Sequence, residues 1–227
     1  MSLTLYIHPL ASFCHKVMIA LEEAKLPYRA VTVDLADPAS ARQVFEHWPV
    51  GKIPLLHDAR RDRYVAETTI MLEYLAQHEL VMRSLWPDEA DALLEARLWD
   101  RFFDLYVQQP MQKIVVDRIR PGGAHDPHGV AEARDTLRTA YGMIERHMVD
   151  RVWAAGEAFS VADCAAFPGL FFAGIVEPFP ASAPALKAYF ERLLARPSVA
   201  WVLAQARPYF TMFSYRDAMP ARFLPEN

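Results

Sequence analysis

Three short stretches of this chain hold side chains that could do chemistry together. Ser12, Cys14 and His15 bring a hydroxyl, a thiol and an imidazole within four positions, Lys52 precedes Ile53-Pro54, and Glu67-Thr68 stands at the head of a helical run. A helix start offers unpaired N–H groups and the positive end of the helix dipole, so an anionic ligand group such as a carboxylate would be favoured at Glu67-Thr68. The same pair also reads as a cap with a dipole-compensating glutamate, and Ser12 reads either as a free hydroxyl or as the N-cap of the helix after it. His15 has no spaced partner and reads as a surface helix residue. Cys14 and Cys164 are the two cysteines. They lack metal-ligand spacing, so no metal is expected, and a reducing cytoplasm suits them.

Elements must position these groups, and composition bounds what the elements can be. The chain has 227 residues, 53% of them hydrophobic and 23% charged, which suits one large or two modest folded domains. The net charge of −4, with no basic block longer than Arg60-Arg61, argues against nucleic acid or an anionic membrane as partner. A small ligand is the better expectation. No stretch approaches the roughly 20 apolar residues of a membrane span. The opening Met-Ser-Leu-Thr-Leu-Tyr-Ile-His-Pro lacks the pattern of a signal peptide. A soluble, cytoplasmic protein is expected.

Leu3 to Ile7 reads as a strand stopped by His8-Pro9, and Phe13, Val17, Ala20, Leu21 and Ala24 recur at helical spacing until Pro27. Tyr28 to Val33 gives a second strand, parallel to the first through a right-handed crossover. A weak helix over Ala39 to Phe45, a strand entered through Pro54, a strand at Tyr64-Val65-Ala66 and a helix over Glu67 to Gln77 follow. Beyond Trp86-Pro87-Asp88 only helices are expected: Ala90 to about Arg118, Val130 to Val152, Val161 to Ile175, Ala183 to Ala195 and Ser198 to Ala206. Ser160-Val161-Ala162-Asp163 is a capping box with Asp in place of Glu, a structural signal.

Four stretches then stand in a telling order: His8-Pro9-Leu10-Ala11-Ser12-Phe13-Cys14-His15-Lys16-Val17, Gly51-Lys52-Ile53-Pro54-Leu55-Leu56, Glu67-Thr68, and Phe159-Ser160-Val161-Ala162-Asp163. Together they resemble the landmarks of cytosolic glutathione transferases of a bacterial, serine-like class, and the resemblance runs down to Arg196-Pro197-Ser198-Val199. It implies an α/β N-terminal thioredoxin-like domain (βαβ-ββα) over residues 1–79, a linker over 80–89 and an all-α C-terminal helical bundle over 90–227. It implies glutathione as co-substrate, without a metal, and a homodimer. The glutathione-binding residues would be Phe13, Lys52, Ile53, Pro54, Glu67 and Thr68. Ile53, before a cis Pro54, would meet the cysteinyl unit through its main chain. Glu67 would take the γ-glutamyl ammonium, Thr68 its carboxylate and Lys52 the glycyl carboxylate. A small apolar electrophile would bind between the domains, against Leu10, Trp99, Phe103, Tyr106 and Met111, with the tail Tyr209, Phe210, Phe213 and Tyr215 nearby.

At the position of the family's catalytic Ser or Cys this chain has Ala11, which can neither donate nor ionise. Ser12 is the nearest hydroxyl and the first choice for the thiolate donor, with Tyr6 the runner-up. Cys14 matches the second thiol of a redox Cys-x-x-Cys whose first member is absent, which disfavours disulfide exchange. Three functions follow: glutathione conjugation in detoxification, a non-catalytic binding or interaction module, and glutathione-dependent isomerisation, peroxide reduction or dehalogenation.

Overall fold

The computed structural model describes residues 2–224. Strand β1 (Leu3–Ile7), helix α1 (Ser12–Glu23) and strand β2 (Arg29–Thr32) form the expected βαβ unit, and β1 pairs in parallel with β2, Leu5 opposite Ala30. Asp37 caps the short α2 (Pro38–Phe45) by accepting from the Ala39 amide. Strands β3 (Leu55–Asp58) and β4 (Arg63–Val65) run antiparallel, and α3 (Thr68–His78) closes the unit. The sheet order is β2-β1-β3-β4, leaving β2 and β4 as edges.

The pleat of β1 sorts its residues by face. Leu3, Leu5 and Ile7 join α1, α3 and the helical half in the main core. Tyr6 points the other way, against the small cluster of Val33, Val44 and Leu55 beneath α2. Full burial of residues such as Leu5 and Ile19 contributes about 1.5–3 kcal/mol apiece, so the main core holds α1 firmly.

The ordered linker contains a 3₁₀ turn, Leu80–Leu85, whose Met82 and Leu85 are buried. The helical half follows: α4 (Ala90–Phe102), α5 (Gln109–Arg118), α6 (Pro127–Met148), α7 (Val161–Val176), α8 (Pro184–Leu194) and α9 (Pro197–Ala206). Where the sequence suggests one helix from Ala90 to about Arg118, the path between α4 and α5 widens into a π-helical segment, Phe103–Gln108. Pro110 supplies the reason: it has no N–H for the carbonyl four residues back and its ring crowds that carbonyl, so a wider turn relieves the clash.

Helix α7 is apolar all round and buried along nearly its whole length, which makes it the axis of the helical half. It packs on α1 and on the π-helical segment. A Cβ at Gly169 would meet Val107 Cγ1 at 3.3 Å, so the bare glycine permits the close approach of α7 to that segment. Ser160 and Asp163 form the capping box at the start of α7, as the sequence predicts.

Candidate functional site

The start of α1, the loop into β3 and the start of α3 all open on one side of the sheet, facing α5. A cavity of about 110 Å³ lies there between Phe13, Lys52, Ile53, Glu67, Thr68 and the π-helical segment. It adjoins a second of about 460 Å³ over His8, Leu10, Ala11 and Leu35, and a third of about 240 Å³ over Ser12, Met111, Phe172 and Phe213. Phe13, Lys52 and Ile53 border the first two, Leu10 and Ala11 the last two, and Gln112 borders all three. The arrangement is a single elongated cleft, polar at the α3 end and apolar at the α7 end.

Local geometry explains the polar end. The Ile53–Pro54 peptide bond is cis. Gly51 has φ +70°, and a Cβ there would collide with the Phe45 ring, so the loop approaches α2 only because the side chain is absent. Glu67 is the N-cap of α3 with φ +66°, a left-handed backbone that costs a non-glycine residue about 1–2 kcal/mol. Its exposed carboxylate makes no capping hydrogen bond, while Thr68 behind it is buried. The first-turn amides of α3 have no intrahelical partner, so this end pairs a free carboxylate with unpaired donors.

Behind the cleft, Lys16 is fully buried on α1 and pairs with Asp100 at 2.7 Å and Asp104 at 2.8 Å. Thr69 accepts from Lys16 and donates to Asp100. Burial opposes the lysine charge, yet the two aspartates hold its pKa above the ordinary lysine value. Burial pushes the Asp104 carboxyl up, against the pull of Lys16, and Asp100 adds repulsion. Asp104 also borders the polar cavity, with Arg101 3.3 Å from it.

Ala11 is the N-cap of α1 and offers no side-chain oxygen. Ser12 is therefore the first helical residue rather than the cap, and its hydroxyl makes no hydrogen bond among the described residues, facing the apolar cavity beside Ala11. Tyr6 lies on the opposite face of the sheet and borders none of these three cavities. His15 contradicts its expected surface position: it is fully buried under α7, its Nε2 2.6 Å from the Pro9 carbonyl and its ring 5.7 Å from that of Phe172. Burial drives its pKa down to about 4, so the ring is neutral and donates to Pro9, fixing the loop before α1. Burial likewise pushes the Cys14 thiol up to about 12, so it is not a nucleophile.

Of the residues expected at the apolar end, Leu10 and Met111 border the cleft. Trp99 and Phe103 instead pack inside the helical half, Trp99 stacked on His147, and exposed Tyr106 leans on Phe102. The π-helical segment begins at Phe103, so spacing counted along one uninterrupted helix changes phase between Trp99 and the residues after it. Sequence reasoning missed His8, Trp48, Arg101, Asp104, Gln109 and Gln112. Gln109 and Gln112 share a face of α5 by their i, i+3 spacing, a signal present in the sequence.

The family model for the glutathione S-transferase N-terminal domain matches residues 11–78, and that for the glutathione S-transferase C-terminal domain matches residues 105–197. The chain belongs to the glutathione S-transferase family. It is 28% identical to FtsZ-localized protein A of Caulobacter vibrioides over 94% of this chain and 96% of that protein. It is 29% identical to glutathione S-transferase 3 of Zea mays over 86% and 90%. Among solved structures, a glutathione S-transferase from Methylobacterium radiotolerans in complex with glutathione sulfonate superposes with a TM-score of 0.77, at 27% identity over 88% of this chain and 93% of that one. The thioredoxin-like N-terminal half and helical C-terminal half are thus those of the glutathione S-transferases.

Proposed function

We propose that the cleft binds glutathione and presents its thiol to a small apolar electrophile. The observation that carries this reading is the continuity of the cleft, from a free carboxylate and unpaired amides at α3 to an apolar chamber at α7. The γ-glutamyl end fits the polar cavity, its ammonium near Glu67 and its carboxylate on the Thr68 hydroxyl and the first-turn amides. The main chain of Ile53, which borders the cleft, would pair with the extended peptide, and Lys52 would take the glycyl carboxylate. The thiol then falls by Ala11, next to the unbonded hydroxyl of Ser12.

A thiol with a reference pKa of about 8.5 is only a few per cent ionised at pH 7. A charge-assisted hydrogen bond of about 1.5–3 kcal/mol from Ser12 would lower that pKa by about 1–2 units. The test of binding is calorimetric titration with glutathione. Wild type should bind, and Glu67→Ala and Thr68→Val should each weaken binding at least tenfold; unchanged affinity in both would refute the site. The test of activation is thiolate absorbance of bound glutathione against pH: Ser12→Ala should move the midpoint up by about 1 unit and lower kcat/KM about tenfold.

A second reading has its own support. Ala11 lacks the activating hydroxyl or thiol, and one relative of nearly equal length carries a name that describes localisation rather than catalysis. Glutathione binding without turnover on a broad electrophile panel would favour a non-catalytic module. Product analysis separates conjugation from isomerisation, peroxide reduction and dehalogenation.

A homodimer belongs to the same proposal. Ile70 on α3 and Leu94 and Leu98 on α4 are exposed, and Glu73 binds Arg97 between them at 3.1 Å. Helical spacing puts Ile70 with Glu73 and Leu94 with Arg97 and Leu98, so the three apolar side chains border one ion pair. Light scattering should give twice the 25.8 kDa chain mass, and the double variant Leu94→Glu, Leu98→Glu should give the monomer.

A further inference from the structure

A cavity of about 570 Å³ lies outside the cleft, between the edge strand β2, helix α9 and the last turns of α1. Its size is that of a small-molecule site. Met18 and Ile7 form an apolar floor, and Trp201 and Tyr209 supply aromatic walls, Trp201 being 38% exposed. Two polar groups interrupt this lining. Glu22 is half-buried on α1, and no lysine, arginine or histidine nitrogen lies within 4.0 Å of its carboxylate among the described residues. The Tyr28 hydroxyl is buried with no hydrogen-bond partner. Burial, followed by the nearby Glu22 charge, raises the Tyr28 pKa.

An unpaired carboxylate at the edge of an apolar, aromatic-walled hollow selects for one ligand chemistry. A protonated amine offers the missing countercharge to Glu22. Aromatic faces attract ammonium groups by roughly 0.5–2 kcal/mol, and an apolar body attached to the amine would cover Trp201, Leu26 and Pro27. An organic anion would meet repulsion from Glu22, and a neutral compound would leave the carboxylate unpaired in a partly desolvated place. We infer that this hollow between β2 and α9 is a second ligand site, for a small hydrophobic primary amine in its ammonium form.

The site does not depend on what fills the cleft, but the two lie back to back. His8 of the cleft packs edge-on against Tyr209 of the hollow, with ring centroids 5.1 Å apart. The experiment therefore keeps the cleft blocked. The 227-residue chain saturated with S-hexylglutathione, or without it should glutathione prove not to bind, is titrated with 4-phenylbutylamine, 4-phenylbutanol and 4-phenylbutyrate, followed by Trp201 fluorescence against Trp201→Phe as a blank and by calorimetry. The amine is expected to bind at least tenfold more tightly than the alcohol, with no measurable binding of the carboxylate. Glu22→Gln, a near-isosteric change on an accessible carboxylate, should remove that preference while leaving the unfolding midpoint unchanged. Equal binding of amine and alcohol, an unaltered preference in Glu22→Gln, or displacement of the amine by S-hexylglutathione would each overturn the proposal. Failure of glutathione to bind would instead count against the cleft and leave this site standing.

Discussion

His15 and Lys16 are neighbours on α1, both fully buried; burial disfavours the charged form of each, and only Lys16 has counterions that reverse the outcome. The His15 ring has no carboxylate beside it and stays neutral, its pKa lowered from 6.5 to about 4 by burial. The unfolded chain therefore binds a proton at this residue between pH 6.5 and 4 that the folded chain does not, so stability is present at neutral pH and is lost as pH falls through that window. The difference corresponds to about 3 kcal/mol at the acid end. Urea midpoints measured from pH 7 to pH 4.5 should fall less steeply for His15→Asn than for wild type; identical slopes would show that the ring is not the proton-linked group. At Lys16 the cation itself is needed. Lys16→Met leaves Asp100 and Asp104 buried without their partner and should cost about 3–5 kcal/mol near pH 7.5. The Asp104 carboxyl, already raised by burial, loses the opposing pull of Lys16 and takes up a proton more readily folded than unfolded, so part of the loss should be recovered at pH 5.5 in the same urea measurement.

Among the elements, α7 and the α4–α5 path show how caps and breaks set geometry. The Asp163 carboxylate accepts from the Ser160 amide at 2.9 Å, the Ala154 amide at 2.9 Å and the Tyr189 hydroxyl at 2.6 Å. One side chain thus caps α7 and ties the loop before it to α8. Asp163→Ala would strand three buried donors, and a loss of about 3–5 kcal/mol in urea unfolding is expected, several times that of an exposed cap. The π-helical turn matters differently. It places Met111 and Gln112 on the cleft while Trp99 and Phe103 remain in the core, so substitutions at Met111 should alter electrophile preference while Trp99→Phe alters stability alone.

Across the whole molecule, the two halves are joined by polar contacts as well as by the core. Lys16 reaches Asp100 and Asp104, and Glu23 at the end of α1 receives Arg196 and Ser198 from the start of α9. Helix α1 is thereby pinned at its middle and its end while its start, carrying Ala11, Ser12 and Phe13, remains open to the cleft. Unfolding of the two halves should be cooperative for this reason, with near- and far-ultraviolet dichroism giving one coincident transition in wild type and separated transitions in Glu23→Ala if the clamp carries the coupling.

Local rules sufficed for much of this. The alternation of β1, the stop at His8-Pro9, the proline-bounded helices and the Ser160–Asp163 box are all decided by residues within a few positions, and the motifs around Ile53-Pro54 and Glu67-Thr68 marked the polar end of the cleft. Contacts between distant segments decided the rest. His15 looked like a surface residue until α7 covered it, Tyr6 and Ser12 were separated by the two faces of the sheet, and the π-helical turn shifted which side chains of the helical half meet the cleft. Periodicity registers a face of an element, but what lies on that face is fixed only when another element, remote in sequence, packs against it.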